Sequence, residues 1–393
     1  RALRPGLTIA ARATTRIRQA PAPPATPGRR VVSKGMRKLA RLLLPALALA
    51  VLLAAVPTAG AAVLGPNKGK VFTGVSDDGT VEGFREFERL AGKHPAVLQT
   101  FHPWGNGLDR AFARWRALGV RPMLHISTAD DETRAELITP RQIAEGRGDA
   151  YLLQINSFFA AKRLRAYIRP LGEPNRCLNP YSAVTCAGRL KGGDHQTFWY
   201  KRAFRRIAVI VRGGLPAKRI DRKLERLSMP PVSYGTAARP AALPAAPVSL
   251  VWSPLPAGSP KAKGNWPGNY WPGANYVDWA GTDFYSEYPH WKDLNKFFRG
   301  KPWRGKPISL TELGVAGWDQ LTFPRKLFAW INKRPRVRMT VYYRGFGAGD
   351  GNPPNRYDPR LYPEASRVLR NRWRDSRYAP YAYAHAGTKL VLP

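Results

Sequence analysis

The sequence predicts a single (β/α)₈ barrel, a closed ring of eight parallel strands surrounded by helices. Eight short apolar segments alternate with stretches of helical periodicity, which is the pattern of this fold. An open, doubly wound sheet is the main alternative. That fold usually carries a glycine-rich phosphate loop after its first strand, and no such loop follows the first apolar segment here.

The predicted strands are short runs rich in β-branched and aromatic residues, each bounded by turn-forming residues. They span 71–75, 97–101, 121–126, 165–170, 249–253, 277–284, 307–311 and 338–343.

Helical patterns separate most of these strands. Residues 81–90 and 108–118 read as helices after the first and second strands. Between the fourth and fifth strands, one helical face is apolar and contains Tyr200, Phe204, Ile207, Ala208 and Val211. Proline-rich segments at 229–247 and 254–272 flank the fifth strand, and we expect both to be long loops of the functional kind.

The N-terminal region has the composition of a targeting segment. Residues 1–35 lack apolar periodicity and are predicted to be a disordered upstream extension. A basic start at Met36, an apolar run and small residues near Ala61 predict a secretory signal peptide over 36–61. An uncleaved membrane anchor is the alternative, although the run is shorter than the ~20 residues of a span. We therefore expect a secreted protein whose barrel domain covers 62–393.

The charge is strongly basic, with 64 Lys and Arg against 26 Asp and Glu and a formal net charge of +38. Residues 1–61 hold 11 of the basic residues and no acidic one. Nucleic-acid binding is one explanation, but no zinc-finger spacing, basic-leucine heptad or aromatic RNA-binding strand pair is present. We expect no nucleic-acid partner. A basic surface drawn to acidic cell-wall polymers, or an arginine-rich genome, explains the charge as well.

The chain has two cysteines, Cys177 and Cys186, which lie nine positions apart in the stretch CLNPYSAVTC. In a secreted protein this spacing favours a local disulfide. Two unpaired thiols are the alternative.

Two glutamates follow predicted strands. Glu173 comes after the fourth strand in RPLGEPN, and Glu312 comes directly after the seventh in LTELG. Catalytic groups of barrel enzymes lie at the carboxyl ends of the strands. A carboxylate beside an apolar strand is costly unless it reacts or is paired. Each glutamate could instead cap a helix or pair with an arginine.

Two carboxylates across a barrel mouth can hydrolyse a glycosidic bond. A retaining enzyme needs carboxyl groups about 5–5.5 Å apart, and an inverting enzyme needs about 6.5–9.5 Å. The sequence alone does not fix this separation.

Four stretches carry a family resemblance: RLRAYIRPLGEPN, SLVWSPLP, YWPGANYVDWAGTDFYS and KPISLTELGVAG, in this order. With these motifs the chain resembles glycoside hydrolase family 26, the β-mannanase-like members of the retaining barrel clan. The likeness covers about 151–317 and extends more weakly over 71–343. It implies a retaining endo-glycosidase acting on mannan or a related β-glycan by double displacement, with Glu173 as acid/base and Glu312 as nucleophile, and the signal peptide predicts that this enzyme is secreted.

The resemblance also implies substrate-site roles for Arg169, Asn175, Trp252 and Tyr285. Arg169 would steady the carboxylates by charge, and Tyr285 would hydrogen-bond the nucleophile. Trp252 would form a sugar-stacking wall, and Asn175 would contact the substrate. A structural ion pair and ordinary barrel packing are the alternatives. The family usually has His immediately before the acid/base, whereas this chain has Gly172, which leaves the sugar open.

Several further side chains are candidates for the same site. His102 and His125 end the second and third strands, and Trp104 and Trp271 are potential sugar platforms. Structural roles in packing are the alternatives. The sequence shows no metal-ligand spacing, serine-hydrolase elbow or Walker loop, so we expect no metal and no cofactor.

The leading functional prediction is thus a polysaccharide hydrolase, expected to be a monomer. A non-catalytic carbohydrate-binding barrel is the first alternative. An adhesive surface protein that uses its basic face is the second.

Overall fold

Eight parallel strands close into a barrel in the computed structural model, which describes residues 64–345 and 356–380. Closure is direct, because the first strand pairs with both the second and the eighth. The strands are β1 Val71–Ser76, β2 Val97–Pro103, β3 Arg121–Ser127, β4 Ala166–Pro170, β5 Val248–Trp252, β6 Trp279–Tyr285, β7 Ile308–Gly314 and β8 Val337–Tyr342. All eight predicted strands are confirmed. The predicted extension and signal peptide lie outside the described residues.

Helices cover the outside of the barrel. They are α1 Val81–Ala91, α2 Asp109–Leu118, α3 Pro140–Ala144, α4 Asp149–Ala161, α5 Thr197–Arg212, α6 Ala217–Glu225, α7 Trp291–Phe298, α8 Thr322–Asn332 and α9 Pro363–Trp373. The helices predicted after β1 and β2 are confirmed, as is the apolar face of α5, which is buried. Between β5 and β6 the described chain forms only a short 3₁₀ turn, Pro267–Tyr270, instead of an α-helix.

Local signals set the helix boundaries. Thr80 caps α1 by accepting a hydrogen bond from the Gly83 amide at 3.0 Å, and Gly92 ends it in the left-handed conformation at φ 63°. At α3, the side chains of Thr139 and Gln142 cap each other's backbone amides reciprocally. Such caps satisfy amides that have no partner within the helix.

The barrel interior is divided into an apolar layer and a polar layer. The apolar layer includes Phe72, Val97, Met123, Tyr167, Val251, Trp279, Met339 and Val341. Side chains two positions further along a strand point to the same face. On β2 to β4, and just past β5, those positions hold Gln99, His125, Arg169 and Ser253, all buried. The polar layer therefore lies at the carboxyl ends of the strands.

The two proline-rich segments lie at opposite ends of β5. The segment 254–272 follows β5 and belongs to the carboxyl end. The segment 229–247 precedes β5, and its Ala242–Leu243 pairs antiparallel with Leu215–Pro216. The expectation that both loops serve function is therefore corrected for 229–247, because it meets the amino end of the strand.

The predicted disulfide between Cys177 and Cys186 is present and lies in the loop after β4. Among the described residues, no helix has both the length and the apolar character needed to cross a membrane.

Candidate active site

Arg169 lies at the centre of the polar layer. It points inward from β4, is fully buried, and its two terminal nitrogens form ion pairs with Glu312 on β7 and Asp283 on β6. Its Nε donates to the Ser253 hydroxyl at 2.5 Å. A planar guanidinium holds several acceptors in fixed directions, so Arg169 fixes both carboxylates relative to the barrel wall.

Both oxygens of Glu312 are held by hydrogen-bond donors. The Tyr285 hydroxyl donates to Oε2 at 2.5 Å, while the Gln99 amide donates to Oε1 at 3.2 Å and Arg169 contacts the same atom. The expected contacts of Tyr285 and Arg169 with this carboxylate are therefore present. Glu312 lies within β7 rather than just after it, because the strand continues to Gly314.

Glu173 is positioned by a loop rather than by a strand. Its amide donates to the Ser253 carbonyl at 2.7 Å, and its own carbonyl accepts from the Asn179 side chain at 2.9 Å. Its φ is 50°, and Leu171 also has a φ of 50°. Glutamate and leucine rarely adopt this left-handed conformation, and such strain is concentrated at functional sites.

Glu173 and Glu312 converge, although they are far apart in sequence. One carboxylate oxygen from each of Glu173, Asp283 and Glu312 lies within 4.8 Å of the others. The three residues are buried, but Glu173 and Glu312 keep 7% and 6% exposure at the mouth. Three such carboxylates are also a metal-type donor set. Here the guanidinium groups of Arg169 and Arg176 already supply positive charge beside them.

Burial raises the pKa of Glu173 above its ordinary value. Arg176, whose guanidinium contacts Glu173 Oε2 at 3.1 Å, opposes this change, while the nearby charge of Glu312 reinforces it. The net effect favours the protonated form of Glu173, as a general acid requires. Burial acts to lower the pKa of Arg169, but the carboxylates of Asp283 and Glu312 raise it further, so this guanidinium stays charged.

The two histidines have different environments. His125 lies beside Arg169, with Nδ1 3.3 Å from a guanidinium nitrogen, and burial followed by the Arg169 charge lowers its pKa well below the ordinary value. It is therefore neutral and belongs to the polar layer. His102 contacts the Asn106 carbonyl at 3.0 Å through Nε2, so its ring holds the loop after β2.

The structure corrects the expectation that Trp252 forms a sugar-stacking wall. On β5, Val251 faces the barrel interior, so Trp252 faces outward. Its indole is completely buried against Phe297, Trp303 and Trp271. No sugar can reach a ring enclosed in this way.

The expectation that Asn175 contacts the substrate is also corrected, because its side chain joins two loops. It is completely buried, and its side-chain amide donates to the Leu255 carbonyl at 2.9 Å. Its Oδ1 accepts from the Leu255 amide at 2.8 Å. Asn175 therefore ties the loop after β4 to the loop after β5.

The two tryptophans proposed as platforms are half-buried. Trp104 packs against Tyr151 at 5.1 Å between ring centroids, and Trp271 packs against Trp252 at 4.9 Å. The structure thus places both against the outer core.

Sequence reasoning missed several site residues. Asp283 interrupts the apolar sixth strand just as Glu312 interrupts the seventh, so the same signal could have found it. Gln99 interrupts the second strand in the same way. Arg176 and Tyr181 lie in an irregular loop, where no periodic pattern marks them.

Gly172 precedes Glu173 in a turn that leaves no room for a side chain. A Cβ at this position would lie 2.8 Å from Cζ and Nε of Arg169. Because Arg169 is held by two ion pairs, it cannot move aside at low cost. The Tyr181 hydroxyl donates to the Gly172 carbonyl at 2.6 Å and fixes the same turn. A larger residue before Glu173 is therefore incompatible with this arrangement of Arg169.

Fold and site together define a (β/α)₈ barrel with a buried carboxylate group at its mouth. Similar solved structures include the Bacillus subtilis mannanase BCman, the Bacillus subtilis mannanase man26 and the YdhT protein of Bacillus subtilis. Each is 14% identical at a TM-score of 0.52, with 85% of this chain and 93–94% of the other chain covered. The chain thus shares the β-mannanase-like barrel fold. The sequence matches no family model. It also matches none of the curated proteins with which it was compared.

We expect Arg169→Leu to destabilise the fold by about 3–5 kcal/mol, because it leaves two buried carboxylates without their partner. Urea unfolding followed by circular dichroism measures the change. Arg189→Leu, which alters an exposed arginine in the loop after β4, should change stability by less than about 0.5 kcal/mol. Equal stability of the two variants would contradict the assigned role of Arg169.

Proposed function

We propose that the protein is a secreted, retaining endo-glycosidase that hydrolyses mannan or a related β-linked polysaccharide. Glu173 acts as acid/base and Glu312 as nucleophile. The observation that carries the proposal is the convergence of these carboxylates within 4.8 Å at the barrel mouth. Oxygens that approach this closely favour the short spacing of retaining enzymes, about 5–5.5 Å between carboxyl groups, over the about 6.5–9.5 Å of inverting ones.

In the first step, a Glu312 oxygen attacks the anomeric carbon while protonated Glu173 transfers its proton to the leaving oxygen. The glycosidic bond breaks, and the sugar becomes an ester of Glu312. Tyr285, Gln99 and Arg169 orient the attacking carboxylate, since each contacts one of its oxygens.

In the second step, Glu173 is a carboxylate and takes a proton from water. The water oxygen bonds to the anomeric carbon as the ester bond breaks, which returns Glu312 as a carboxylate and Glu173 as an acid. Arg169 keeps Asp283 as a partner while Glu312 is esterified, so its buried charge remains paired throughout.

Exposed apolar side chains in the loops after the barrel strands support a polysaccharide as ligand. Every large apolar side chain that is exposed among the described residues lies between the carboxyl end of a barrel strand and the first turn of the next long helix. These are Leu137, Leu178, Leu190, Phe198, Tyr288, Trp318 and Leu361. Exposed apolar groups gathered on one face mark binding surfaces. The C–H faces of sugars stack on such groups, so this distribution supports a long sugar chain as ligand.

Trp318 is the clearest candidate platform. It is 66% exposed and follows the nucleophile strand by a few residues. Its neighbours are fixed, because the Gly317 amide donates to the Tyr362 hydroxyl at 3.1 Å and Asp319 accepts from two amides at the start of α9. A rigidly presented indole loses little conformational freedom on binding.

Secretion is supported by two features. The composition of residues 36–61 is that of a signal peptide. The disulfide in the loop after β4 is typical of proteins from oxidising compartments.

We expect purified protein to release oligosaccharides from at least one member of a β-glycan panel. Glu173→Gln and Glu312→Gln should each lower kcat by about 10²-fold or more, because they remove the proton donor and the nucleophile. Product analysis by chromatography, with NMR of the first-formed anomer, measures rate and stereochemistry. Full activity of either variant, or an inverted first product, would contradict the mechanism. Binding without turnover would favour a non-catalytic barrel.

The raised pKa of Glu173 predicts where kcat/KM declines on the alkaline side of its pH profile. Because the acid must be protonated, kcat/KM should fall as pH rises through this pKa, which lies above the usual value for glutamate. Wild type should show this decline on the polymer and little of it on an aryl glycoside that needs no acid assistance, and Glu173→Gln, which has no ionisable acid, should show none on either substrate. The test is a pH series of kcat/KM for both proteins, and an unchanged decline in the variant would assign it to another group.

Trp318→Ala should raise KM for the polymer about 5- to 30-fold, equivalent to about 1–2 kcal/mol of lost apolar contact. Trp318→Tyr keeps an aromatic ring and should recover most of the affinity. Steady-state kinetics on polymer and on a short aryl glycoside separate the effects, since the short substrate should be unaffected. Equal losses on both substrates would place Trp318 outside the chain-binding surface.

A further inference from the structure

Arg176 is a charged group at the reacting centre that the double-displacement mechanism does not use. Its guanidinium donates to Glu173 Oε2 at 3.1 Å, while 42% of its side chain remains exposed at the mouth. The adjacent Glu173 charge raises the pKa of Arg176, so it stays cationic. A cation held directly on the catalytic acid favours the ionised form of that acid, which is the wrong form for the first step.

Arg176 has Glu173 as its ion-pair partner in the site. Arg169 is paired with Asp283 and Glu312, and the carboxylate that Arg176 contacts is that of Glu173. When Glu173 carries its proton, Arg176 loses the negative charge of its partner. The guanidinium then has no directly contacting carboxylate among its ion pairs, and the charge of Glu312 acts on it only from a distance.

The local structure allows the Arg176 side chain to take another partner. Its backbone is fixed, since the Arg176 amide donates to the Glu173 carbonyl at 3.0 Å and the Cys177 amide donates to the Ser259 carbonyl at 2.7 Å. The side chain is long and half-exposed, so it can turn toward the cleft without moving the loop. A guanidinium binds planar or tetrahedral oxyanions with paired hydrogen bonds.

Building on the proposed function, we propose that the substrate is an anionic β-glycan whose oxyanion group binds Arg176 beside the scissile bond. Binding of this group replaces Glu173 as the partner of Arg176 and leaves the protonated acid free to donate. The group is a sugar carboxylate or a sulfate ester, since a guanidinium accepts both. Residues 62–393 hold 53 basic and 26 acidic residues, and this excess is consistent with a polyanionic partner.

The experiment compares β-mannan and β-1,4-glucan in three forms: native, oxidised to carboxylates at part of C6, and partly sulfated. Wild type should show kcat/KM about 10- to 100-fold higher on one of the anionic forms than on the native chain, the range expected for charge-assisted hydrogen bonds. The favoured form identifies the oxyanion. Arg176→Ala should abolish the preference, and Arg176→Lys should retain part of it.

Arg189→Ala is the matched control, because it removes one exposed positive charge from the same loop. It should keep the wild-type preference at equal ionic strength, which separates the site from general surface attraction. A wild type that hydrolyses native and anionic chains equally would overturn the inference and leave the proposed hydrolase intact. So would a preference that Arg176→Ala does not change.

If no glycan is hydrolysed, the proposed function fails, and calorimetric binding of the native and anionic oligosaccharides decides the inference separately. Tighter binding of an anionic form that Arg176→Ala removes would support recognition by Arg176. Equal binding of native and anionic forms would reject it. Circular dichroism of the variants confirms that each remains folded.

Discussion

The site depends on one buried guanidinium. Arg169 is the fully buried cation that joins β4 to β6 and β7 through Asp283 and Glu312. Burying these three charges is costly, and the cost is offset only when each is paired and hydrogen-bonded. Ser253, Gln99 and Tyr285 complete these bonds. The orientation of Glu312 is therefore a property of the whole polar layer, which links β2, β4, β6 and β7 with the start of the loop after β5.

The same guanidinium explains why glycine precedes Glu173, where the family that the sequence resembles usually has histidine. Arg169 lies so close to Gly172 that no side chain fits before Glu173. The loop then reaches Arg176, whose cation takes a place beside the acid. Gly172 thus stands at the position where the resemblance would place a histidine, and Arg176 contacts the Glu173 carboxylate from the following turn. This exchange changes the charge presented to the sugar, so specificity can differ while the two glutamates keep their positions.

The fold was accessible from sequence because strand and helix periods differ and all eight apolar runs are short. Convergence of Glu173 and Glu312 followed from their strand positions alone. Which face a strand residue occupies was not accessible, because barrel strands are buried on both sides and show no polar alternation. The resemblance implies a sugar-stacking role for Trp252, and no strand pattern could test this, although Trp252 points outward among the helices. Arg176 was missed because its position depends on loop geometry rather than on any period.

The two glutamates are held by different means, and the difference suits the roles that we propose for them. Glu312 lies within β7, where paired neighbours on both sides fix the backbone. Glu173 lies three residues beyond β4, where Ser253, Asn179 and the Cys177–Cys186 disulfide shape the loop. A nucleophile must meet one carbon atom along one line, which favours a rigid strand. An acid/base must exchange protons first with a leaving oxygen and then with water, and in the proposed mechanism its partner Arg176 turns aside. The loop after β4 permits proton exchange and the movement of Arg176, because its backbone is fixed while the Arg176 side chain is partly exposed.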